Sequence, residues 1–352
     1  MTGYDLSDDE KDNYGSLDYR NIPRIQLGPY EFDTWFGNSS VFTTNVPDSL
    51  GYKEIASNNK KSTSTKKLMD FIDNKRPWLD KLFFCSTCFK YTDNEEDMKM
   101  HLNCCRYRDA PPGKIMYYDT ENDYIIRKVK GSQHALLCQC LCILAKFYLD
   151  NKSVFYNLDY YDFYIIYRTV NGTQTPMGFY SRELLSWEPN NLSCILVIPC
   201  YQKQHLGTKL IEFSYQLSNY EQKISGPERP LSPFGKITYL HYWSKRLARL
   251  LLYGSLSETK ILTLEIICNT TGFRMDDVLQ TLTYMGILFV KGEKSAYIDY
   301  YKEAYKTRDT DIYLEDGRFN VIILKAKVEE WANHNRPING APILDKEKLI
   351  LY

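Results

Sequence analysis

The sequence NLSCILVIPCYQKQHLGTKLIEFSYQLSNY, residues 191–220, joins a predicted strand to a predicted helix. The β-forming run at 192–199 predicts the strand. Apolar residues then recur at the i, i+4, i+7, i+11 spacing of an amphipathic helix, at Leu206, Leu210, Phe213 and Leu217. A turn that enters a helix exposes backbone N–H groups at the positive end of the helix dipole, which suits a pyrophosphate. The segment 201–207 is therefore a candidate phosphate-binding turn.

Further elements flank this centre on both sides. Strands are predicted, from alternating or β-rich runs, at 20–36, 153–158, 162–170 and 177–184. Helices are predicted, from the spacing of apolar residues, at 133–149, at 239–254 and in a helix–turn–helix pattern at 263–286. The chain is therefore predicted to be mixed α/β, of the α+β kind.

Four potential metal ligands follow one another at the spacing of a zinc finger. Cys85 and Cys88 form a C-x2-C knuckle, and an H-x3-C pair, His101 and Cys105, begins after twelve further residues and shares one helical face. Four soft N and S ligands suit tetrahedral zinc and leave no open position, so the predicted metal is structural. Cys104 is an alternative ligand, although its spacing to His101 is one residue short.

The overall composition restricts the class of protein. The 352 residues carry 44 Lys+Arg and 44 Asp+Glu, so they lack the basic excess typical of proteins that grip DNA along its backbone. No long apolar run predicts a membrane span, and residues 1–18 are acidic where a secretory signal would be basic and then apolar. Ten cysteines favour metal ligation and free thiols over disulfides. We expect a soluble, intracellular, globular protein.

Several motifs, in the same order along the chain, resemble the MYST family of histone acetyltransferases. They are RNIPRIQLGPYEFDTW (20–35), the zinc motif, CLCILAKFYLDNKSVFYNLDYYDFYII (140–166), the segment 191–220, GPERPLSPFG (226–235) and the Tyr-Trp pair at 242–243. The resemblance runs from about Tyr19 to the C-terminus. It implies a GNAT-like acetyltransferase core with an N-terminal C2HC zinc-finger subdomain and a C-terminal helix-turn-helix-like subdomain.

Composition and resemblance together predict four parts of the chain. Residues 1–18 are expected to form a disordered acidic tail. Residues 19–130 are expected to form an N-terminal subdomain with the finger (85–105) and a Lys-rich loop insertion (45–75). That insertion is interpreted as a flexible loop, with a nucleic-acid contact as the alternative. The central acetyl-CoA-binding core is predicted at 131–254 and the C-terminal subdomain at 255–352.

The resemblance also implies roles for individual residues. Cys194 corresponds to the family's active-site cysteine, Glu228 to its general base and Lys152 to a lysine that the family acetylates on itself. The backbone of residues 193–197 and the turn 202–208 correspond to the family's acetyl-CoA site, and Ser232 corresponds to a residue near the cofactor. This set comprises Ser193, Cys194, Ile195, Leu196, Val197, Gln202, Lys203, Gln204, His205, Leu206, Gly207, Thr208 and Ser232.

These roles agree with the chemistry of lysine acetylation. A lysine amine, with an ordinary pKa of about 10.4, must lose a proton before it attacks a thioester. Glu228, beside Pro230 and Leu231, is expected in a partly apolar setting that raises its pKa; without the resemblance it would be an ordinary surface carboxylate. Cys194 either carries the acetyl group or lines the site as a small buried hydrophobe, and the residues alone favour the second. Backbone N–H groups along 194–197 are expected to stabilise the oxyanion.

The turn departs from the family's pattern at three positions that bear on cofactor binding. His205 stands where the family has Gly, which permits a positive φ and a close approach of phosphates, although His tolerates positive φ better than most residues. Lys203 replaces Arg and lacks its bidentate fork. Thr208 replaces a basic residue. We expect measurable acetyltransferase activity whose level depends on partner subunits.

The leading hypothesis is a nuclear lysine acetyltransferase that uses acetyl-CoA, carries structural zinc and modifies a histone tail. The resemblance implies lysine sixteen of the histone H4 tail, in chromatin silencing and transcription regulation, and accessory subunits of a silencing-type complex as partners. Acids at Asp159, Asp162 and Glu183 are candidates for attracting the basic tail. Neither a membrane nor strong direct DNA binding is expected.

The alternative hypothesis is a non-catalytic chromatin-binding zinc-finger module with weakened cofactor binding. Cys194 and Glu228 disfavour it, and His205 keeps it open. The helix–turn–helix pattern at 263–286 carries acids at Glu265, Asp276 and Asp277, so a packing role is expected for it rather than DNA recognition.

Overall fold

The structure, a computed structural model, describes residues 16–17, 19–41, 77–149, 158–170, 172–258, 262–287, 289–290, 293–294, 313–315, 318–322, 325–335 and 343–351. The acidic tail apart from residues 16–17, the Lys-rich insertion, most of the predicted strand at 153–158 and Lys152 lie outside the described residues. The chain divides into two compact units. The first unit is residues 1–184 with 194–206, and the second unit is residues 185–193 with 207–352. The four parts expected from the sequence stay a prediction.

The secondary structure alternates short strands with a few longer helices. The strands are β1 (Ser16–Leu17), β2 (Arg24–Leu27), β3 (Tyr30–Asp33), β4 (Gly37–Asn38), β5 (Lys81–Phe84), β6 (Tyr91–Thr92), β7 (Lys114–Asp119), β8 (Tyr124–Lys130), β9 (Tyr161–Val170), β10 (Thr173–Glu183), β11 (Asn190–Leu192), β12 (Cys194–Val197), β13 (Gly226–Pro227), β14 (Leu262–Thr263), β15 (Phe289–Val290), β16 (Glu293–Lys294), β17 (Tyr313–Glu315) and β18 (Arg318–Ile322). The α-helices are α1 (Glu95–Cys104), α2 (Ala135–Lys146), α3 (Leu206–Tyr220), α4 (Pro233–Tyr253), α5 (Leu264–Thr271), α6 (Met275–Met285) and α7 (Lys325–Asn335). Among the described residues, no helix combines the length and the apolar character that crossing a membrane requires.

The first unit is built on a five-stranded antiparallel sheet with the strand order β12-β10-β9-β8-β7. The central strand β9 is buried on both faces, since five consecutive residues, 163–167, are almost completely shielded from solvent. This double burial explains why its sequence is a continuous apolar and aromatic run instead of an alternating one. Strand β12 is at one end of the sheet, so one side of its backbone has no strand partner within this sheet.

A second sheet of the first unit leads into the finger. It has the order β3-β2-β5-β6, with β2 and β5 parallel and the other pairs antiparallel. The strands expected in 20–36 are confirmed by β2 and β3. Strand β5 ends at Phe84, directly before the first cysteine of the zinc motif. The sheet therefore supplies the rigid base from which that motif begins.

Helix α2 confirms the buried helix expected at 133–149. Nine of its twelve residues are buried, in agreement with a segment that is apolar on nearly all faces. Its C-terminal end is tied to the N-terminal segment, because Asn38 Nδ2 donates to the Ile143 carbonyl (3.4 Å) and Trp35 N donates to the Phe147 carbonyl (3.0 Å).

The second unit has a core of polar-tipped aromatic side chains between α3 and α4. Tyr242 Oη donates to Glu212 Oε2 (2.7 Å), and Trp243 Nε1 donates to Tyr215 Oη (2.8 Å). These bonds satisfy polar atoms that burial would otherwise leave without partners. Helix α4 begins at Pro233, six residues before the helix expected at 239–254, because Ser232 caps it and proline suits the first helical position.

The strand expected at 192–199 is confirmed in a shorter form by β12, which pairs antiparallel with β10. Leu192, the first residue of the expected run, instead ends β11, which pairs in parallel with β13. Ser193 separates the two strands, and a short 3-10 helix, Pro199–Tyr201, ends the extended segment.

The helix–turn–helix expected at 263–286 is confirmed by α5 and α6. Thr263 Oγ1 caps α5 by accepting from Ile266 N (3.2 Å), and Gly272 ends it in the left-handed conformation, with φ 76°. Helix α6 packs against α4, which agrees with the packing role expected for this motif.

Candidate functional site

The four predicted metal ligands converge at one point of the first unit. The ligand atoms of Cys85, Cys88, His101 and Cys105 all lie within 4.8 Å of one another. Cys85 Sγ is 3.8 Å from Cys105 Sγ, and Cys88 Sγ is 3.1 Å from His101 Nε2. Two thiolates on one tetrahedral zinc lie about 3.8 Å apart, since each Zn–S bond is about 2.3 Å long. The donor set and its spacing therefore fit a structural zinc ion.

Local backbone geometry brings these ligands together. In the knuckle, Phe89 N donates to the Cys85 carbonyl (3.0 Å), and the backbone reverses through Phe89 itself, whose φ is 61°. Asn94 caps α1, because its Oδ1 accepts from Glu96 N (2.8 Å). Helix α1 then carries His101 in its last turn and ends at Cys104, directly before the fourth ligand, Cys105. Met98 and Leu102 pack against the cluster.

The thiols of Cys85 and Cys88 share one hydrogen bond. That bond lowers the pKa of Cys85 to about 4, helped by a hydrogen bond with Thr87, and it raises the pKa of Cys88 above its ordinary value. Zinc binds the thiolate form of cysteine, so binding of the metal would release the proton that this pair shares. Cys104 is exposed, its thiol donates to the carbonyls of Met100 and His101 (both 3.5 Å), and it does not belong to the converging set.

Strand β12 presents part of its backbone on the free edge of the five-stranded sheet. Ile198 N donates to the Met177 carbonyl of the β10 side (3.0 Å), and N–H directions alternate along an antiparallel strand. The N–H groups of Ile195 and Val197 consequently point away from β10. Gln202 Nε2 donates to the Val197 carbonyl (3.2 Å), which shows that this edge is reached by the following turn. Cys194, at the start of the strand, is 8% exposed, and Leu196 is also buried.

The turn 202–205 contains two residues in the left-handed region. His205 has φ 58°, in the region that the family's Gly permits at this position, and Lys203 has φ 63°. Lys203, Gln204 and His205 are exposed, whereas Leu206 is buried at the start of α3. Gly207 and Thr208 follow in the first turn of this helix and are half-buried. Strained non-glycine backbone of this kind is concentrated at ligand-binding sites.

Replacement of His205 is expected to reveal the cost of its left-handed backbone. His205→Gly and His205→Ala both remove the imidazole, but only Ala keeps a Cβ at positive φ. We expect the Gly variant to have a free energy of unfolding about 1 kcal/mol higher than the Ala variant, measured by urea denaturation. Equal stabilities would contradict a left-handed residue at this position.

Glu228 lies in the second unit, just after β13. Its backbone N donates to the Leu192 carbonyl of β11 (2.8 Å), and its side chain is exposed. The partly apolar setting expected from the sequence is therefore not observed, because Pro230 is itself exposed and Leu231 is only half-buried. The carboxylate is open to an approaching amine.

Two other predicted positions have structural partners. Ser232 Oγ accepts from Gly235 N (3.1 Å), which makes it the N-cap of α4. Asp162, one of the acids expected to attract a basic tail, is buried and paired with Lys128 Nζ at 2.6 Å, so it is not available for that role. Asp159 is exposed and Glu183 is half-buried.

The predicted site residues are distributed over both units. Cys194, Ile195, Leu196, Val197 and the turn as far as Leu206 belong to the first unit. Ser193, Gly207, Thr208, Glu228 and Ser232 belong to the second. The sequence does not single out the residues that hold the Glu228 segment, chiefly Arg274 and Asp277. It presents Asp277 as one of several acids on the helix–turn–helix, yet this side chain is completely buried, and no local signal distinguishes it from the others.

Comparison with known proteins identifies the class. The profile of the MOZ/SAS family matches residues 110–318, which include the five-stranded sheet, the turn and the Glu228 segment. The chain is 46% identical over 276 residues to histone acetyltransferase SAS2 of Saccharomyces cerevisiae, covering 78% of this chain and 77% of that protein. It is 36% identical over 276 residues to histone acetyltransferase mst1 of Schizosaccharomyces pombe, covering 78% and 51% of the two chains. It is 31% identical over 285 residues to histone acetyltransferase MOF of Drosophila melanogaster, covering 81% and 30%.

These matches, together with the four converging zinc-ligand candidates and the strand–turn–helix, define an acyltransferase enzyme of mixed α/β fold. The chain belongs to the MOZ/SAS family, the MYST type of acetyltransferase. The chain spans about three quarters of the length of the Saccharomyces cerevisiae protein. It spans about half of the Schizosaccharomyces pombe protein and less than a third of the Drosophila melanogaster protein. Membership favours the enzyme hypothesis over a non-catalytic chromatin-binding module.

Proposed function

We propose that the protein transfers the acetyl group of acetyl-CoA to the ε-amino group of a histone tail lysine in the nucleus. The observation that carries this proposal is the free edge of β12 followed by a turn with two left-handed residues. The similarity to proteins named histone acetyltransferases supports a histone as the substrate.

The residues of this chain fit an acyl-CoA. Acetyl-CoA, when bound, supplies an acetyl group activated as a thioester. The outward N–H groups of Ile195 and Val197 would donate to the thioester carbonyl oxygen, where negative charge develops during attack. The turn 202–208 would hold the pyrophosphate, since Lys203 adds positive charge and α3 begins directly behind the turn. Ser193, Leu196 and Ser232 complete the proposed set.

Glu228 would serve as the general base. The substrate amine is protonated at neutral pH and becomes a nucleophile only when a base removes a proton. The exposed carboxylate of Glu228 would accept that proton from the lysine Nζ. Acids at Asp159 and Glu183 are candidates for attracting the basic tail, and Asp162 is excluded by its pairing with Lys128.

The fate of Cys194 is expected to distinguish a covalent from a lining role. We expect Cys194→Ala to keep acetyl transfer within about tenfold of the wild-type rate, because truncation of a small buried side chain costs about 1 kcal/mol. Rapid-quench mass spectrometry is expected to find no acetyl group on this cysteine. A loss as large as that of a general-base variant, with acetyl trapped on Cys194, would establish the covalent route instead.

The specific substrate we propose is lysine sixteen of the histone H4 tail, in a silencing-type complex with accessory subunits. The resemblance of the sequence motifs supports this choice, and the same resemblance assigns self-acetylation to Lys152. Mass spectrometry of the recombinant complex after incubation with nucleosomes and acetyl-CoA tests both sites together. Acetylation of that histone lysine, absent without acetyl-CoA, is the expected result, and an unmodified histone pool would overturn the proposal.

A further inference from the structure

The segment 226–229, which carries Glu228, is held on one side by β11. Strand β13 pairs with β11 in parallel, with Gly226 opposite Asn190. Gly226 N donates to the Pro189 carbonyl (3.3 Å), and Glu228 N donates to the Leu192 carbonyl (2.8 Å). Two backbone bonds on either side of Pro227 therefore hold the segment along this edge.

Arg274 holds the same segment from the helix–turn–helix. It is the N-cap residue of α6, but its side chain makes no capping bond. Instead its guanidinium donates to the carbonyls of Pro227 (3.3 Å) and Gly226 (3.4 Å) and to Asn190 Oδ1 (2.5 Å). One planar group thus ties the two residues before Glu228 to β11, a use of the rigid fork that Lys cannot reproduce.

Asp277, three residues further along α6, lies beneath the segment. Its side chain is completely buried, and its Oδ1 accepts from Arg229 Nη2, so the ion pair engages the residue directly after Glu228. A Cβ at Gly226 would lie 2.4 Å from Asp277 Oδ2, so the backbone at 226 rests against the carboxylate. Glycine is required there by this close approach.

The carboxylate of Asp277 is an expensive group to bury. Burial raises its pKa to about 6, and the charges of Arg229 and Arg274 act against that rise. A buried carboxylate that lost one of these partners would be strongly disfavoured. An apolar side chain at position 277 would pack α6 with a smaller desolvation cost. The buried carboxylate is therefore best explained by its contacts with Gly226 and Arg229 of the segment 226–229.

We propose that Arg274 and Asp277 are positioning residues for acetyl transfer, which hold the segment 226–229 so that Glu228 stays where it accepts the substrate proton. This inference rests on the proposed role of Glu228 as general base. It assigns the helix–turn–helix a mechanical part in the reaction. A small displacement of a catalytic group costs up to about a hundredfold in rate.

The test uses the full chain with its accessory subunits and compares Asp277→Asn with a matched control, Asp276→Asn. The control makes the same chemical change one residue earlier, at a half-buried position. We expect Asp277→Asn to lower kcat for histone acetylation by tenfold or more, with KM for acetyl-CoA unchanged, and the control to match wild type. Arg274→Lys is expected to lower kcat in the same way and serves if Asp277→Asn does not fold by circular dichroism.

A double variant separates positioning from a merely structural effect. If Asp277 acts through Glu228, adding Asp277→Asn to Glu228→Gln causes no further loss of the residual rate, measured at alkaline pH. An additive loss in the double variant would overturn the inference, and so would a wild-type kcat in both Asp277→Asn and Arg274→Lys. If Glu228→Gln is inactive in the same experiment, the proposed function stands without the inference. A fully active Glu228→Gln would instead remove the proposed base and the inference together.

Discussion

Glu228→Gln is expected to lose at least about a hundredfold in acetyl transfer, while the variant keeps its fold and binds acetyl-CoA like the wild type. General-base catalysis contributes about 10² to 10⁴ to a rate, and an amide cannot accept the proton of a lysine ammonium. The substitution is nearly isosteric. The hydrogen bond from residue 228 to the Leu192 carbonyl is made by its backbone N, which the wild type and the variant share. The measurement is kcat on a histone H4 tail peptide, with acetyl-CoA affinity from calorimetry.

The matched control for this variant is Glu265→Gln. Glu265 is an exposed carboxylate in the first turn of α5, in the same unit, and it has no place in the proposed chemistry. It is expected to keep the wild-type rate. Equal rates in the two variants would show that the 228 carboxylate is not the base. A loss of acetyl-CoA binding in Glu228→Gln alone would indicate a role in cofactor retention.

Cys85→Ser is expected to abolish zinc binding and unfold the finger. Structural zinc in isolated fingers contributes about 10 to 16 kcal/mol of apparent folding free energy at neutral pH, and a serine hydroxyl is a poor replacement for a thiolate. The remaining three ligand side chains, two of them buried, would then lack the ion that their arrangement fits. Zinc per chain, measured by elemental analysis, is expected to fall to near zero, and the first thermal transition is expected to occur at a much lower temperature.

Cys104→Ser provides the control for the metal centre. This cysteine is adjacent to a ligand in sequence, yet it is exposed and its thiol bonds to helix carbonyls. The variant should retain zinc and thermal stability. Zinc loss in Cys104→Ser together with retention in a Cys105→Ser variant would exchange the roles of the two neighbours and restore the alternative ligand considered from the spacing.

Features that depend on neighbouring residues were predictable. The C-x2-C and H-x3-C spacings are short enough for a knuckle and about one helical turn to bring neighbouring ligands together. Cys85 could therefore be placed beside Cys88, and His101 beside Cys105, before any tertiary structure was known. The burial of α2 followed in the same way from its continuous apolar run. The family's Gly at the position of His205 is compatible with the positive φ that the structure shows there.

Features that depend on residues distant in the chain could not be predicted from the sequence. The run 192–199 looks like one strand, yet Leu192 ends β11 while residues 194–197 form β12, and the two strands pair with different partners, β13 and β10. In the sequence, Asp162 and Asp277 cannot be distinguished from acids on the surface. Their burial is explained by ion pairs with residues distant in the chain, Lys128 for Asp162 and Arg229 for Asp277. Charges are buried where a partner arrives from elsewhere in the chain.

Local order, ligand spacing and family membership were thus encoded in short stretches of residues, because helical periodicity and metal-ligand spacing act over one or two turns of backbone. Tertiary structure alone chose the strand partners and brought Arg274 and Asp277 against the segment 226–229, which lies about fifty residues earlier in the chain. Such contacts depend on complementary charge and shape between remote surfaces, and no local pattern of the sequence records which remote surface will be met.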